Sequence, residues 1–577
     1  MKLFFEGVYY SKTFLDACFG DISPRISRKG TRGGTAMLDA VGYYFNKYNR
    51  EPFFILPKVF VTVKDGSDYA FGDYLISSSN ALDLKAKDLT KYLKNAGWKE
   101  NIIYELPIWL YEAISKFRRK DDKKQIEIEE TLQSLLTPKN EKGESTILDI
   151  VIALEDFYKQ NEDLFVLIFK RSNSGFDKID WTRTVLDNIP LINNDSVVYP
   201  EAVNRVKEID YEEELLGIFF NTLRYISSKY DPELKINVLY TLTPDAIFMR
   251  QTERGAICKR LKQIKNNYFS DRMSQLWTLV YAFHKKMEDM RGSRSYNDYL
   301  LIKDFNIVFE DMIDELIGDR NLPQDIKEQK DGKILDHVFQ YHSLTNNPDS
   351  VFYVGDSKYY KEGKSPTGTA LYKQYTYVKN ILQLHFDWYN KKREKKIYRP
   401  YRDDKTEGYN ISPNFFISAD VHPNDSFYVP RLCPDAITNE KLYKSANKQF
   451  GNRLFDRDTL FLRQFDINFL FVLHSYIQRN KTKNQLFKRT AQDMIKNDFL
   501  TFVNDKYEFY TLTAKDDPDG TLNKTFKKLI GKIYCPTESL TPMILALQKD
   551  SADKQAIISF VDEHYNKCEY QLGETIE

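Results

Sequence analysis

Residues 351–360 read Val-Phe-Tyr-Val-Gly-Asp-Ser-Lys-Tyr-Tyr, a β-branched and aromatic run with a carboxylate and an ammonium near its far end. A run of this kind fits a buried strand. Asp356 and Lys358 lie two positions apart, so on a strand both point to one face. Burying both charges is costly unless they pair or share a ligand. Any fold containing this strand must therefore build a polar site at its end. A carboxylate-x-Lys triplet alone carries little, because roughly ten are expected at this charge content. The weight falls on its surroundings.

At 577 residues the chain is long enough for two to four domains and at least one large core. Hydrophobic residues make up 42% and charged residues 29%, which fits a soluble globular protein. Tyrosine and phenylalanine number 39 each, and tyrosine-rich cores account for them more simply than base stacking does. The net charge of +1 does not exclude DNA, since binding needs only one basic groove. Cys18, Cys258, Cys433, Cys535 and Cys568 have no ligand-like spacing, which argues against zinc or a disulfide scaffold and fits a reducing cytoplasm. Residues 1–7 offer too short an apolar run for a signal peptide, and no run of about 18 apolar residues predicts a membrane span. No Gly-x₄-Gly-Lys-Ser/Thr phosphate loop occurs; the glycine cluster 30–35 lacks the lysine.

Periodicity predicts an α/β, multi-domain chain. Residues 1–195 read as an N-terminal α/β module for partner or DNA contacts, with helical spacing over 36–48, strand over 53–63 and an amphipathic helix over 147–158. Residues 117–124 form a charge run that reads as a solvated helix face or loop, and 138–145 a polar connection. Residues 196–297 read as mainly helical, including 211–228 and 273–290, with a basic stretch over 250–265 that suits either phosphates or solvent. Residues 298–487 read as helix (306–317), strand (334–341), turn (345–349), strand (351–360), helix (370–389) and strand (415–418), with 469–473 also strand-like and a basic run at 391–396. Residues 488–577 read as a small helical appendage.

Asp336 lies on the strand before the turn, so a hairpin brings it beside Asp356. Glu310, in the preceding helix, is placed to reach the same point. Gln374 and Tyr377 share a face of the following helix, with Lys373 adjacent. Alone, Glu310 reads as a helix-surface acid and Gln374 as a solvated amide. The ordered set of helix Glu, strand Asp, strand Asp-x-Lys and helix Gln-x-x-Tyr is far more specific than any member. Mg²⁺ takes oxygen ligands and keeps several waters, so one or two carboxylates from different elements suffice. With a lysine to handle the attacking water or the transition-state charge, these are the parts of a metal-dependent phosphodiesterase. Rival first acids fit less well: Asp349 leaves no room for a hairpin before Asp356, Asp245 lies far upstream, and Asp435 follows the lysine strand.

The Gly-Asp-Ser-Lys-Tyr-Tyr segment at 355–360 resembles the catalytic strand of the PD-(D/E)xK nuclease superfamily, and within it the LlaJI-like and McrC-like restriction subunits. Residues 176–185, with Ile179-x-Trp181-x-x-Thr184, resemble an upstream motif of that family, where Trp181 reads as a core residue on a short strand. Ile55-Leu-Pro-Lys58 and 465–472 are also similar, so the resemblance spans about residues 50–475 at motif strength. Two positions depart from the pattern: Leu335, not Pro, precedes the first acid, and the second acid is Asp, not Glu.

The resemblance implies a PD-(D/E)xK, restriction-endonuclease-like core of mixed sheet flanked by helices. It implies Glu310, Asp336 and Asp356 as ligands of Mg²⁺ (or Mn²⁺), Lys358 as the catalytic lysine, and Gln374 and Tyr377 in support. It also implies double-stranded DNA as substrate and a McrB-like AAA+ GTPase or ATPase as partner. The expected function is a cytoplasmic DNA endonuclease subunit of a restriction or anti-phage system. The rival readings are a stand-alone repair or recombination nuclease and a non-catalytic DNA-binding scaffold with a degenerate core.

Overall fold

The computed structural model describes residues 1–30, 33–84, 87–99, 102–124, 135–136, 145–162, 168–172, 178–193, 196–208, 214–230, 234–236, 242–292, 298–319, 321–328, 334–345, 350–364, 366, 368–390, 401–446, 452–478, 481–537 and 540–575. The expected connection over 138–144, the turn residues 346–349, the basic run 391–396 and the start of the Trp181 motif lie outside them. The chain is a mixed α/β protein that divides into two compact units interleaved in sequence. The smaller holds 1–3, 43–54 and 136–301; the larger holds 4–42, 55–135 and 302–577. Residues 1–195 are thus shared between the two.

The larger unit is built on a five-stranded mixed sheet. Helix α1 (Asn306–Leu316) precedes strands β1 (His337–His342) and β2 (Ser350–Lys358). Helix α2 (Gly368–Asn390) leads to β3 (Asn414–Asp420), then β4 (Leu432–Pro434), α3 (Ala436–Ala446) and β5 (Arg463–Asn468). The order is β1-β2-β3-β5-β4, with β1/β2 and β5/β4 antiparallel and the two central pairs parallel. A parallel step from β2 to β3 needs a long crossover, and α2 supplies it. All of Val351–Lys358 is buried, as expected where both sheet faces are covered. Helix α1 packs on β1 and β2, and α2 on β2 and β3.

Residues 469–473 are helix, not strand: α4 runs Phe469–Ile477. Asn468 is its N-cap, the side-chain oxygen accepting from Leu470 N at 2.9 Å and Phe471 N at 3.3 Å. A fully buried apolar run gives no period to separate helix from strand, and the cap settles it. Likewise 36–48 is not helix. It forms strands Thr35–Leu38 and Val41–Asn46, and Gly42 sits at φ 135°, outside the helical region.

The last residues are not a helical appendage either. After α5 (Lys481–Lys506) come β6 (Tyr507–Ala514), α6 (Pro518–Leu529), β7 (Ile533–Tyr534), β8 (Met543–Gln548), α7 (Lys554–His564) and β9 (Tyr565–Tyr570). The strands form an antiparallel sheet in the order β7-β8-β6-β9. Leu512, Leu529, Ile533, Met543, Leu545 and Val561 are fully buried within one cluster. Each such side chain contributes about 1.5–3 kcal/mol.

The smaller unit is chiefly helical, with Ile147–Gln160, Glu214–Lys229, Asp245–Glu253, Ala256–Ile264 and Asp271–Gly292. Thr146 and Asp149 close a capping box at the first of these. The basic stretch 250–265 occupies two short helices. Its Arg260 is committed to Glu214 at 2.6 Å, and the Lys265 ammonium lies 4.8 Å from the centre of the Trp277 ring. Trp181 is not a core residue on a strand. It begins the helix Trp181–Asp187 and is 60% exposed.

Candidate functional site

The β1–β2 hairpin sets the geometry. His337 pairs with Gly355, so the same register carried one step further sets Asp336 across from Asp356. The Ser357 amide donates to Asp336 Oδ2 at 3.2 Å and fixes the arrangement. Asp356 and Lys358 share one face of β2, where the Lys358 ammonium donates to Asp356 Oδ2. That ammonium also lies 4.6 Å from the centre of the Phe416 ring, on β3. Asp356 is 3% exposed and Lys358 8%, so both charges sit in a region of low dielectric.

Helix α2 brings up Lys373, Gln374 and Tyr377. Gln374 is wholly buried, and its Nε2 donates to Val354 O at 3.2 Å and to Asn414 Oδ1 at 2.7 Å. It clasps β2 to the start of β3 rather than reaching Lys358. Its Oε1 has no partner among the described residues. Tyr377 is buried, and the Lys373 ammonium lies 5.3 Å from its ring centre. Burial lowers the Lys373 pKa, but Tyr377 and the Asp356 and Asp336 carboxylates outweigh it and raise it overall. Lys373 therefore stays charged beside the two acids.

The acids divide their roles by environment. Burial pushes Asp336 well above the usual carboxylate range, helped by Asp356 and Glu310. Burial acts on Asp356 in the same direction, but the hydrogen bond from Asp336 and the Lys358 and Lys373 ammoniums hold it below that range. Two bare carboxylates side by side repel, and this drives the two acids in opposite directions. Burial also raises Glu310, against a 3.3 Å hydrogen bond from Asn306. The structure thus gathers Glu310, Asp336, Asp356, Lys358 and Lys373 into one electrostatic cluster. Gln374 and Tyr377 lie in the packing beside it.

Among the described residues, no three His, Cys, Asp or Glu side chains enclose a point as a ready metal cage. The donor set still fits a hard cation such as Mg²⁺, which takes one or two carboxylates and keeps its waters. Two carboxyl groups set across from each other, whose like charges repel, suit a bound dication.

Residues missed by sequence reasoning lie just past Lys358. Tyr359 donates to buried Glu6, and the Lys58 amide donates to Glu6 Oε2 at 3.2 Å and to the Tyr359 hydroxyl at 3.1 Å. The available signal was Glu6 itself, an acid ending the apolar run Leu-Phe-Phe.

No family model matches the chain, and no curated protein matches it. A solved structure similar to it is the refined half-complex from the tetradecameric assembly of Thermococcus gammatolerans McrB AAA+ hexamers with bound McrC. Identity is 11%, the match covers 85% of this chain and 99% of that one, and the TM-score is 0.26, too low to carry weight for fold or function.

Proposed function

We propose that the chain is a Mg²⁺-dependent DNA endonuclease with a PD-(D/E)xK core, acting as a subunit of a restriction or anti-phage system beside an AAA+ NTPase. One observation carries the reading: the β1–β2 register sets Asp336 across from Asp356, with buried Lys358 on the same strand as Asp356 and donating to it. Buried ionisable groups with opposed pKa shifts are concentrated at functional sites. The resemblance of residues 355–360 to a nuclease catalytic strand supports the same reading and supplies the motor partner.

Asp336 and Asp356 would hold the cation, with Glu310 near them. Once bound, it would supply Lewis-acid activation of water and of the phosphate. Lys358 leaves Asp356 and orients the attacking water or meets the charge that grows on the phosphate oxygens. Lys373 adds a second positive charge toward the DNA backbone.

The test is cleavage of double-stranded DNA by the purified chain with Mg²⁺, with and without a McrB-like AAA+ NTPase and its nucleotide. Wild type should cut; Asp356→Ala and Lys358→Ala should each fall by at least about 100-fold. Cutting that survives both substitutions sinks the assignment. A non-catalytic scaffold is the second reading, favoured by Lys358 closing on Asp356 and by the lack of a three-ligand cage among the described residues. DNA binding without cleavage, unchanged by Asp356→Asn, would select it.

A further inference from the structure

Behind the candidate site lies a second polar row. His337 and Gly355 are paired across the hairpin, so their side-chain directions share a face, and Ser357 lies on it too. That face is the reverse of the one bearing Asp356 and Lys358. His337 is wholly buried and Ser357 is 7% exposed. The Ser357 hydroxyl and His337 Nε2 are hydrogen-bonded. On the other side of the ring, His337 Nδ1 faces Asp314 Oδ1 at 3.7 Å, and neither atom has another partner among the described residues. Asp314 is anchored in turn by Lys327 at 2.6 Å.

Each member adjoins a member of the site. Asp314 is one helical turn beyond Glu310 on α1. His337 follows Asp336, and Ser357 stands between Asp356 and Lys358. The Ser357 amide closes the circuit by donating to Asp336 Oδ2. The ladder between β1 and β2 is made by backbone and needs none of these side chains. An apolar trio would fill this buried space without the cost of desolvating three polar groups. What the polar trio adds is direction: a hydrogen bond joins the Ser357 and His337 segments, and the Asp314 carboxylate faces the same ring from α1.

We propose that Asp314, His337 and Ser357 are positioning residues that hold the Glu310 helix, the Asp336 segment and the Asp356–Lys358 strand at the spacing a divalent cation requires. The inference rests on the nuclease reading. Partners of metal-binding carboxylates orient them in this way, and losing one typically costs about 10–100-fold in metal affinity.

The experiment is calorimetric titration of the full chain with Mg²⁺ and Mn²⁺, alongside thermal unfolding and the Mg²⁺ dependence of DNA cleavage. Ser357→Ala should weaken cation binding about 10–100-fold, and Ser357→Thr, which keeps the hydroxyl, should restore it. Should Ser357→Ala fail to fold, Asp314→Asn, on the partly exposed end of the row, serves instead with the same expected loss. The Ser357→Ala/Asp314→Asn double variant should lose no more than the worse single variant, because the two act through one ring. Losses that multiply overturn the proposal. If Ser357→Ala binds cation as wild type does while Asp356→Asn does not bind it, the positioning role is wrong and the nuclease reading stands. If Asp356→Asn binds cation like wild type, that reading fails and this inference with it.

Discussion

Tyr359 gives its hydroxyl hydrogen to Glu6, a residue 353 positions away, and so ties the start of the chain to the exit of the Lys358 strand. Both are buried, at 4% and 5% exposure. Tyr359→Phe leaves the Glu6 carboxylate short of a donor, at a cost of about 1–3 kcal/mol in unfolding free energy. Burial raises the Glu6 pKa above 4.5, with Lys58 and Tyr359 opposing. A raised carboxyl contributes stability that is present below its unfolded pKa and is lost as pH rises through the folded one. Glu6→Gln should therefore flatten the fall in melting temperature above about pH 4.5. An unchanged pH profile would show that Glu6 does not titrate this way.

Gly355 allows no side chain. A Cβ there would come within 2.5 Å of the Phe415 ring. That ring cannot retreat easily, being flanked by Phe339 at 5.9 Å and Phe465 at 6.3 Å between ring centres. Gly355→Ala should cost roughly 1–3 kcal/mol of stability. Because β2 must shift to accommodate it, the proposed nuclease activity predicts that cleavage drops more than binding of DNA does. Denaturant unfolding and kcat against KM separate the two effects.

Helix α1 is held from its other side by lysines. Glu315 receives Lys116 at 2.9 Å and Lys120 at 2.7 Å, and Lys120 also reaches Asp311 at 2.6 Å. Burial opposes ionisation of Glu315, yet the two lysines hold its pKa down at about 2. A depressed carboxyl contributes stability present above its unfolded pKa and lost as pH falls through the folded one. Acid should therefore weaken the protein from about pH 4.5 down to about 2, and Glu315→Gln should remove that share of the slope. At neutral pH the substitution should cost between the ~1 kcal/mol of an exposed pair and the ~3–5 kcal/mol of a buried one. Melting temperatures of both proteins across pH check it.

The hairpin was legible because alternation and turn residues are local signals. An acid just before one strand and another on its partner, 20 residues apart, are enough to set Asp336 across from Asp356. Residues 36–48 and 469–473 misled because short apolar runs satisfy both periods, and only Gly42 and the Asn468 cap separate them. The sheet at the C-terminus was hidden by long helical stretches around its strands. Ser357 was invisible in another way: it is the variable middle of a triplet read for its two ends. Glu6 had no local partner to announce it, since Lys58 and Tyr359 lie 52 and 353 residues from it along the chain.

The larger unit leaves its own sequence twice, from Gly42 to Ile55 and, over a much longer gap, from Leu135 to Ile302. Its parts are therefore joined by packing as much as by peptide bonds. Two polypeptides, one ending near residue 135 and one beginning near 302, would between them carry every residue of that unit, including Glu6 on the first and Tyr359 on the second. The Tyr359–Glu6 contact would then have to form between two separate chains, since neither piece alone carries both of its partners.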